Sequence, residues 1–291
     1  MTHTILDRVS YHAVYDGSIM GALRYAKAHG FAGIQIADET PHLSFERLSR
    51  SGAEEIAQFA ASENLYTTLH APDETASLFQ CNSSLSAGVL DYYRSLLSFA
   101  NQVGSRLVTI HVGSMTVFAT DDETDRRIPS EDLHLYSASL KKNLEELLRM
   151  VGGRLIVCVE NYGVGLAELE MLQPYLERGD LFLCWDLVKG AFRPDVEGFY
   201  LSHPEWIKQV HLHDRREVAS GSIKGHRVIG TGDIEFARCL RFLMEKAEVE
   251  DFCIEVRPRD KARESLLALA EIIQQLNVDP SAAADADKPP A

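Results

Sequence analysis

Short apolar runs alternate with longer stretches of helical spacing along the whole chain. The runs Arg8–Val14, Phe31–Ala37, Tyr66–His70, Arg106–Val112, Leu155–Glu160, Leu181–Asp186, Ile207–His213 and Phe252–Val256 read as β-strands. Between them, apolar residues recur every three or four positions. That spacing predicts helices over Ile19–His29, Phe45–Glu63, Asp91–Val103, Glu131–Val151, Leu166–Glu177, Val196–Ser202, Ile234–Ala247 and Arg263–Leu276. Gly30, Gly104, Gly152 and Gly179 stand where helices should stop. Strict strand–helix alternation builds a parallel sheet. Eight such units predict an α/β fold, a closed (β/α)8 TIM barrel, as a single domain over residues 1–278. An open doubly wound sheet is the alternative, weakened by the absence of GxGxxG after the first strand. The tail from Asp279, DPSAAADADKPPA, has too little apolar surface to order itself and is expected to be disordered.

Six strands end in a polar residue: TTLHAP, VTIHVGS, RLIVCVEN, LCWDLVKG, QVHLHD and FCIEVRP. Two residues before each polar end stand Thr68, Thr109, Cys158, Cys184, Gln209 and Cys253; one residue before stand Leu69, Ile110, Val159, Trp185, Val210 and Ile254. Side chains alternate across a strand. The small or polar set should therefore line the barrel interior, and the large apolar set should pack on the helices. Barrel active sites lie at the C-terminal strand ends, where the His, Asp and Glu residues converge.

Composition narrows the picture. The net charge is −14, which argues against a broad electrostatic grip on nucleic acid. No apolar run is long enough to span a membrane, and MTHTILDRVS lacks the features of a signal peptide. The five cysteines form no CxxC, so a reducing, cytoplasmic compartment is expected. Five of the histidines, His3, His29, His42, His134 and His203, are expected at the surface.

Glu160, Asp186, His211 and Glu255 end the fifth to eighth strands. Three carboxylates brought together repel one another, and a divalent cation removes the conflict. Three oxygen donors and one imidazole suit Mn²⁺, Co²⁺ or Mg²⁺, with Zn²⁺ also admissible, and leave about two octahedral positions for substrate oxygens. An ion-paired rim with Arg215, Arg257 or Lys189 is the competing arrangement. His70 and His111 either complete a second, nitrogen-rich metal site with Glu160 or bind substrate hydroxyls. His226, in KGHRVIGTGD, is a further candidate for substrate contact, and His213 shares the inward parity of His211.

TLHAP, TIHVGS, VCVEN, CWDLVKGAF, VHLHD, GHRVIGTGDI and CIEVRP, in this order and spacing, resemble the xylose isomerase-like TIM-barrel superfamily, in its sugar phosphate isomerase/epimerase branch. The resemblance implies one divalent ion held by Glu160, Asp186, His211 and Glu255, with the two glutamates as the acid/base pair. Relatives of the endonuclease IV type bind two further metals. His70 and His111 match part of that pattern, but Lys189 and Lys224 stand where its third site needs a histidine and an aspartate. Two ammonium groups cannot hold Zn²⁺, whereas Lys189, Lys224, Arg227 and Arg257 can hold an anion. The expected function is a metal-dependent isomerase or epimerase of a sugar, sugar phosphate or sugar acid, working through an enediolate. Catalysis falls to Glu160 and Glu255, and substrate binding to His70, His111, Lys189, His226 and Arg257. A lyase like the inosose dehydratases is the runner-up; a phosphodiesterase acting at abasic sites and a non-catalytic sugar-binding barrel stand behind it. The expected partner is a small carbohydrate, with no nucleic acid and no membrane, and the architecture suits a homodimer.

Overall fold

In the computed structural model, described over residues 5–73, 75–119, 126–127, 132–152, 155–217 and 223–278, eight parallel strands close on themselves. They are β1 (Val9–Ala13), β2 (Gly33–Ala37), β3 (Tyr66–His70), β4 (Leu107–Ile110), β5 (Ile156–Glu160), β6 (Phe182–Asp186), β7 (Ile207–Leu212) and β8 (Asp251–Ile254). Each pairs with its sequence neighbours, and β8 returns to β1 through Val9–Phe252, Ser10–Cys253 and Tyr11–Ile254. The fold is the single-domain TIM barrel that the strand pattern predicts. The tail expected to be disordered from Asp279, and His3, lie outside the described residues.

The outer helices are α1 (Ile19–His29), α2 (Arg50–Ser62), α3 (Ser83–Gln102), α4 (Leu133–Val151), α5 (Leu166–Glu177), α6 (Pro194–Ser202), α7 (Phe236–Lys246) and α8 (Arg259–Val278). The two largest departures from the expected bounds have identifiable reasons. The stretch expected as one helix from Phe45 opens with a 3-10 turn, Phe45–Arg47, because Asp38 Oδ1 takes the Phe45 N–H at 3.0 Å. Ser49 then caps α2 by accepting the Gly52 N–H. Helix α3 starts at Ser83, earlier than expected, because Asn82 caps it and buried Ser86 bonds to Asn143 Oδ1 at 2.7 Å. The loop expected over Asp214–Asp233 carries an antiparallel hairpin, Asp214–Glu217 with Ile223–Arg227. Asp214 fastens its base: Oδ1 accepts from Arg215 N and Ile234 N, and Oδ2 accepts from Gly232 N at 2.7 Å.

The alternation of side chains divides the interior as expected. Val157, Val159, Leu183, Trp185, Val210 and Ile254 join the large core between barrel and helices. Leu107, Cys158 and Cys184 form a separate apolar cluster inside the barrel, backed by Ile156 and Phe182. Beside it runs a buried polar network. Asp251 accepts from Ser10 Oγ, Tyr66 Oη and Gln209 Nε2, each at 2.7 Å. Thr109 donates to Gln209 Oε1 and accepts from Gln35 Nε2. Gly33 leaves room for Tyr66, since a Cβ there would lie 2.5 Å from the Tyr66 carbonyl oxygen. This floor holds rigid the strand ends above it. Among the described residues no helix is long and apolar enough to cross a membrane.

Candidate metal centre and active site

Glu160, Asp186, His211 and Glu255 all reach the C-terminal mouth, and all are buried. Their convergence follows from register, which sets Asp186 beside His211 and Cys253, two residues before Glu255, also beside His211. His211 is the hub: its Nδ1 lies 3.2 Å from Glu160 Oε2 and 3.7 Å from Glu255 Oε2. Ligand atoms of Asp186, His211 and Glu255 lie within 4.8 Å of one another, and Glu160 joins His211 and Cys184 in an overlapping group.

Two atoms test whether an ion fits. His211 Nδ1 and Glu255 Oε2 are buried and lack a well-formed hydrogen bond. Leaving such a group unsatisfied costs about 1–3 kcal/mol, and a cation between them satisfies both. Burial pushes the Cys184 thiol well up, so it stays protonated and leaves the donors hard: carboxylates and an imidazole. The residues fit a divalent ion.

Asp186 is fixed from three directions. Its Oδ1 accepts from Val188 N at 2.8 Å and Lys189 N at 2.9 Å, on the short helical turn Leu187–Gly190. Its Oδ2 accepts from His213 Nε2 at 3.0 Å. Asn161, next to Glu160, clamps the Asp186 backbone, donating to its carbonyl and accepting from its N–H. For Glu255, Oε1 is held by Arg257 Nη2 at 3.0 Å and faces His12 Nδ1 at 3.4 Å. The ion-paired rim envisaged with Arg257 is thus present on one oxygen only.

His70 Nε2 and His111 Nε2 approach Glu160 Oε2 at 3.2 and 3.3 Å, so both join the site, and they form a second candidate ligand group with Glu160. His226 adopts a left-handed backbone (φ 51°), stacks on His213 at 4.4 Å and meets the Glu255 carbonyl through Nδ1 at 3.0 Å. Lys189 reaches over the Tyr162 ring at 4.5 Å. Lys224 is exposed on the hairpin.

The electrostatics follow from this packing. Burial alone would raise Glu160, but the charges of His211 and His111 outweigh it and hold the carboxyl well below its usual range. Glu255 is likewise well below, burial being overcome by the close approach of the His12 imidazole and the charge of His211. Burial would lower His70, yet its contacts with Glu160 and Glu39 raise it well above the usual value.

Three participants lie outside the expected set. His12 on β1 is buried against Glu255, with neither ring nitrogen hydrogen-bonded. Glu39 Oε2 lies 3.8 Å from His70 Nδ1, and Asp73 Oδ1 3.3 Å from His111 Nε2. His12 had a signal in the strand VSYHA, whose polar residue falls one position before the strand end. Glu39 and Asp73 follow β2 and β3 in loops, where no periodicity marks them.

A family model described as xylose isomerase-like TIM barrel matches residues 23–272. Among solved structures, the chain is similar to a D-tagatose 3-epimerase-like protein, with TM-score 0.73 and 18% identity over 93% of this chain and 98% of that one. It is also similar to an L-ribulose 3-epimerase, with TM-score 0.70 and 14% identity over 97% and 99% of the two chains. A 3-keto-D-glucoside 4-epimerase from E. coli aligns with TM-score 0.66 and 16% identity over 92% and 99%. At these identities the likeness establishes the fold. A search of curated proteins finds no match. Because the family model spans most of its length, the chain belongs to the xylose isomerase-like TIM-barrel family.

Proposed function

We propose that this protein is a divalent-metal-dependent sugar isomerase or epimerase that moves a proton on the carbon next to a carbonyl. The observation that carries this reading is the meeting of Glu160 and Glu255 at one imidazole nitrogen, His211 Nδ1, at 3.2 and 3.7 Å. Three solved relatives of the same fold bear the names of sugar epimerases or of a protein like one, which supports the substrate class.

Glu160, Asp186, His211 and Glu255 would hold the ion, with Mn²⁺, Co²⁺ or Mg²⁺ favoured by the oxygen-rich set and Zn²⁺ admissible. When bound, it supplies a Lewis acid for a carbonyl oxygen and offsets the negative charge that develops there. The protein groups do the rest. Both glutamates are held ionised at neutral pH by their imidazole neighbours, as a proton acceptor must be. One carboxylate takes the proton α to the carbonyl, and an enediolate results. For the epimer, the glutamate on the opposite face takes up a solvent proton and delivers it to the enediolate, while the first glutamate loses the abstracted proton to solvent; return of the abstracted proton by the first glutamate at the neighbouring carbon gives the isomer. His70 and His111, both buried beside Glu160, are placed to orient substrate hydroxyls. Exposed Tyr162, whose ring meets His111 at 5.4 Å, offers apolar surface to a sugar ring.

The test is solvent-deuterium incorporation into a panel of ketoses, sugar phosphates, sugar acids and inososes, with each of the four ions in turn. Exchange at an α carbon that requires both the ion and Glu160 supports the reading. Absence of exchange from every member, with the ion shown to be bound, overturns it. Loss of water from the product would reassign the protein to the dehydratase class.

A further inference from the structure

The mouth of the barrel is electrically lopsided. On the side of β2–β4 the outer carboxylates are matched by imidazoles, Glu39 with His70 and Asp73 with His111. On the side of β6–β8 the surplus is positive. Lys189 is half-buried on the turn after Asp186, and among the described residues its ammonium has no carboxylate within ion-pair distance. Its neighbour is the face of Tyr162, at 4.5 Å, whose ring meets His111 edge-on at 5.4 Å. A cation–π contact orients an ammonium without neutralising it. Arg257 gives one Nη2 to Glu255 Oε1, while its Nε is buried with no partner. The Lys189 backbone N–H donates to Asp186, whose other oxygen meets His213 at 3.0 Å; Arg257 grips Glu255, whose other oxygen lies 3.8 Å from His226 Nδ1; and these two rings are stacked at 4.4 Å. The residues that carry the two cations are thus joined through one histidine pair.

Charge decides what such an arrangement suits. A divalent ion leaves one negative charge on Glu160, Asp186 and Glu255 together, and Lys189 with Arg257 more than cancels it. A local positive excess in a chain of net charge −14 calls for a counter-charge. A neutral ketose leaves the Lys189 ammonium and the partly exposed remainder of the Arg257 guanidinium unmatched. An anionic group satisfies both, and charge-assisted hydrogen bonds are the strong ones.

We propose that the substrate is an anionic sugar whose carboxylate or phosphate is received by Lys189 and Arg257 on the β6–β8 side of the mouth. This rests on the reading of the mouth as a sugar site and narrows it to a charged class.

The test uses the full chain loaded with Mn²⁺ and matched sets of sugars: a neutral ketose, its terminal phosphate and the corresponding keto-uronic acid. Deuterium exchange gives kcat/KM for each. An anionic member should exceed its neutral parent by about tenfold or more, the worth of one charge-assisted hydrogen bond. Whether the phosphate or the uronate gains identifies the anion. Lys189→Met keeps the stem against Tyr162 and should collapse that preference about tenfold, whereas Lys189→Arg should retain most of it. Equal or better use of the neutral ketose, or a preference unmoved in Lys189→Met, overturns the proposal. Calorimetric binding of the same sugars separates this from the catalytic reading. Anion-selective binding that is lost in Lys189→Met, without exchange, upholds the anion site and refutes the epimerase. Exchange without anion selectivity does the reverse.

Discussion

His213 donates from Nε2 to Asp186 Oδ2 across 3.0 Å, and its other nitrogen, Nδ1, accepts the His226 N–H at 2.9 Å. Both ring nitrogens are thus committed, which fixes the tautomer and makes His213 a positioning residue for a metal ligand. It also ties the Asp214–Arg227 hairpin to that ligand, since His226 belongs to the second hairpin strand. Removing such a partner typically weakens metal binding about 10–100-fold. His213→Asn should lower Mn²⁺ affinity by that order in calorimetric titration. An unchanged affinity would mean that Asp186 holds its place without the imidazole.

Glu160 is the point on which three imidazoles converge, so its replacement has two effects. Glu160→Gln removes the proposed proton acceptor and should cut deuterium exchange at least about 100-fold. It also removes the charge that holds His70 protonated, so the His70 titration followed by NMR in the ion-free variant should move to lower pH. Full exchange activity would remove Glu160 from the chemistry.

The barrel floor makes a prediction about folding alone. Asp251 collects donors from Ser10, Tyr66 and Gln209, on β1, β3 and β7. Asp251→Ala strands all three inside the barrel and should destabilise the protein by at least about 3 kcal/mol. Equilibrium unfolding checks this, and a loss below about 1 kcal/mol would contradict the assigned network.

Much of this was legible in the sequence because barrel strands announce themselves. The apolar run closed by Glu160 and the one closed by Asp186 placed two ligands at one end, and the step back to Cys158 and Cys184 found the interior face. Residues outside a periodic element were not legible in this way. Glu39 and Asp73 sit in loops, and the bond between Ser86 and Asn143 joins helices far apart in the chain. Asp251 lay at the start of its strand, where only the closed barrel brings Tyr66 and Ser10 to it. The Lys189–Tyr162 contact likewise depends on two strand ends meeting in space.

The central claim is that one divalent ion is held jointly by Glu160, Asp186, His211 and Glu255. Anomalous diffraction from crystals grown with Mn²⁺ addresses it directly. The account predicts a strong anomalous peak in contact with all four side chains, lost in crystals of His211→Ala. A barrel mouth with no peak, or with manganese bound only elsewhere, would contradict it.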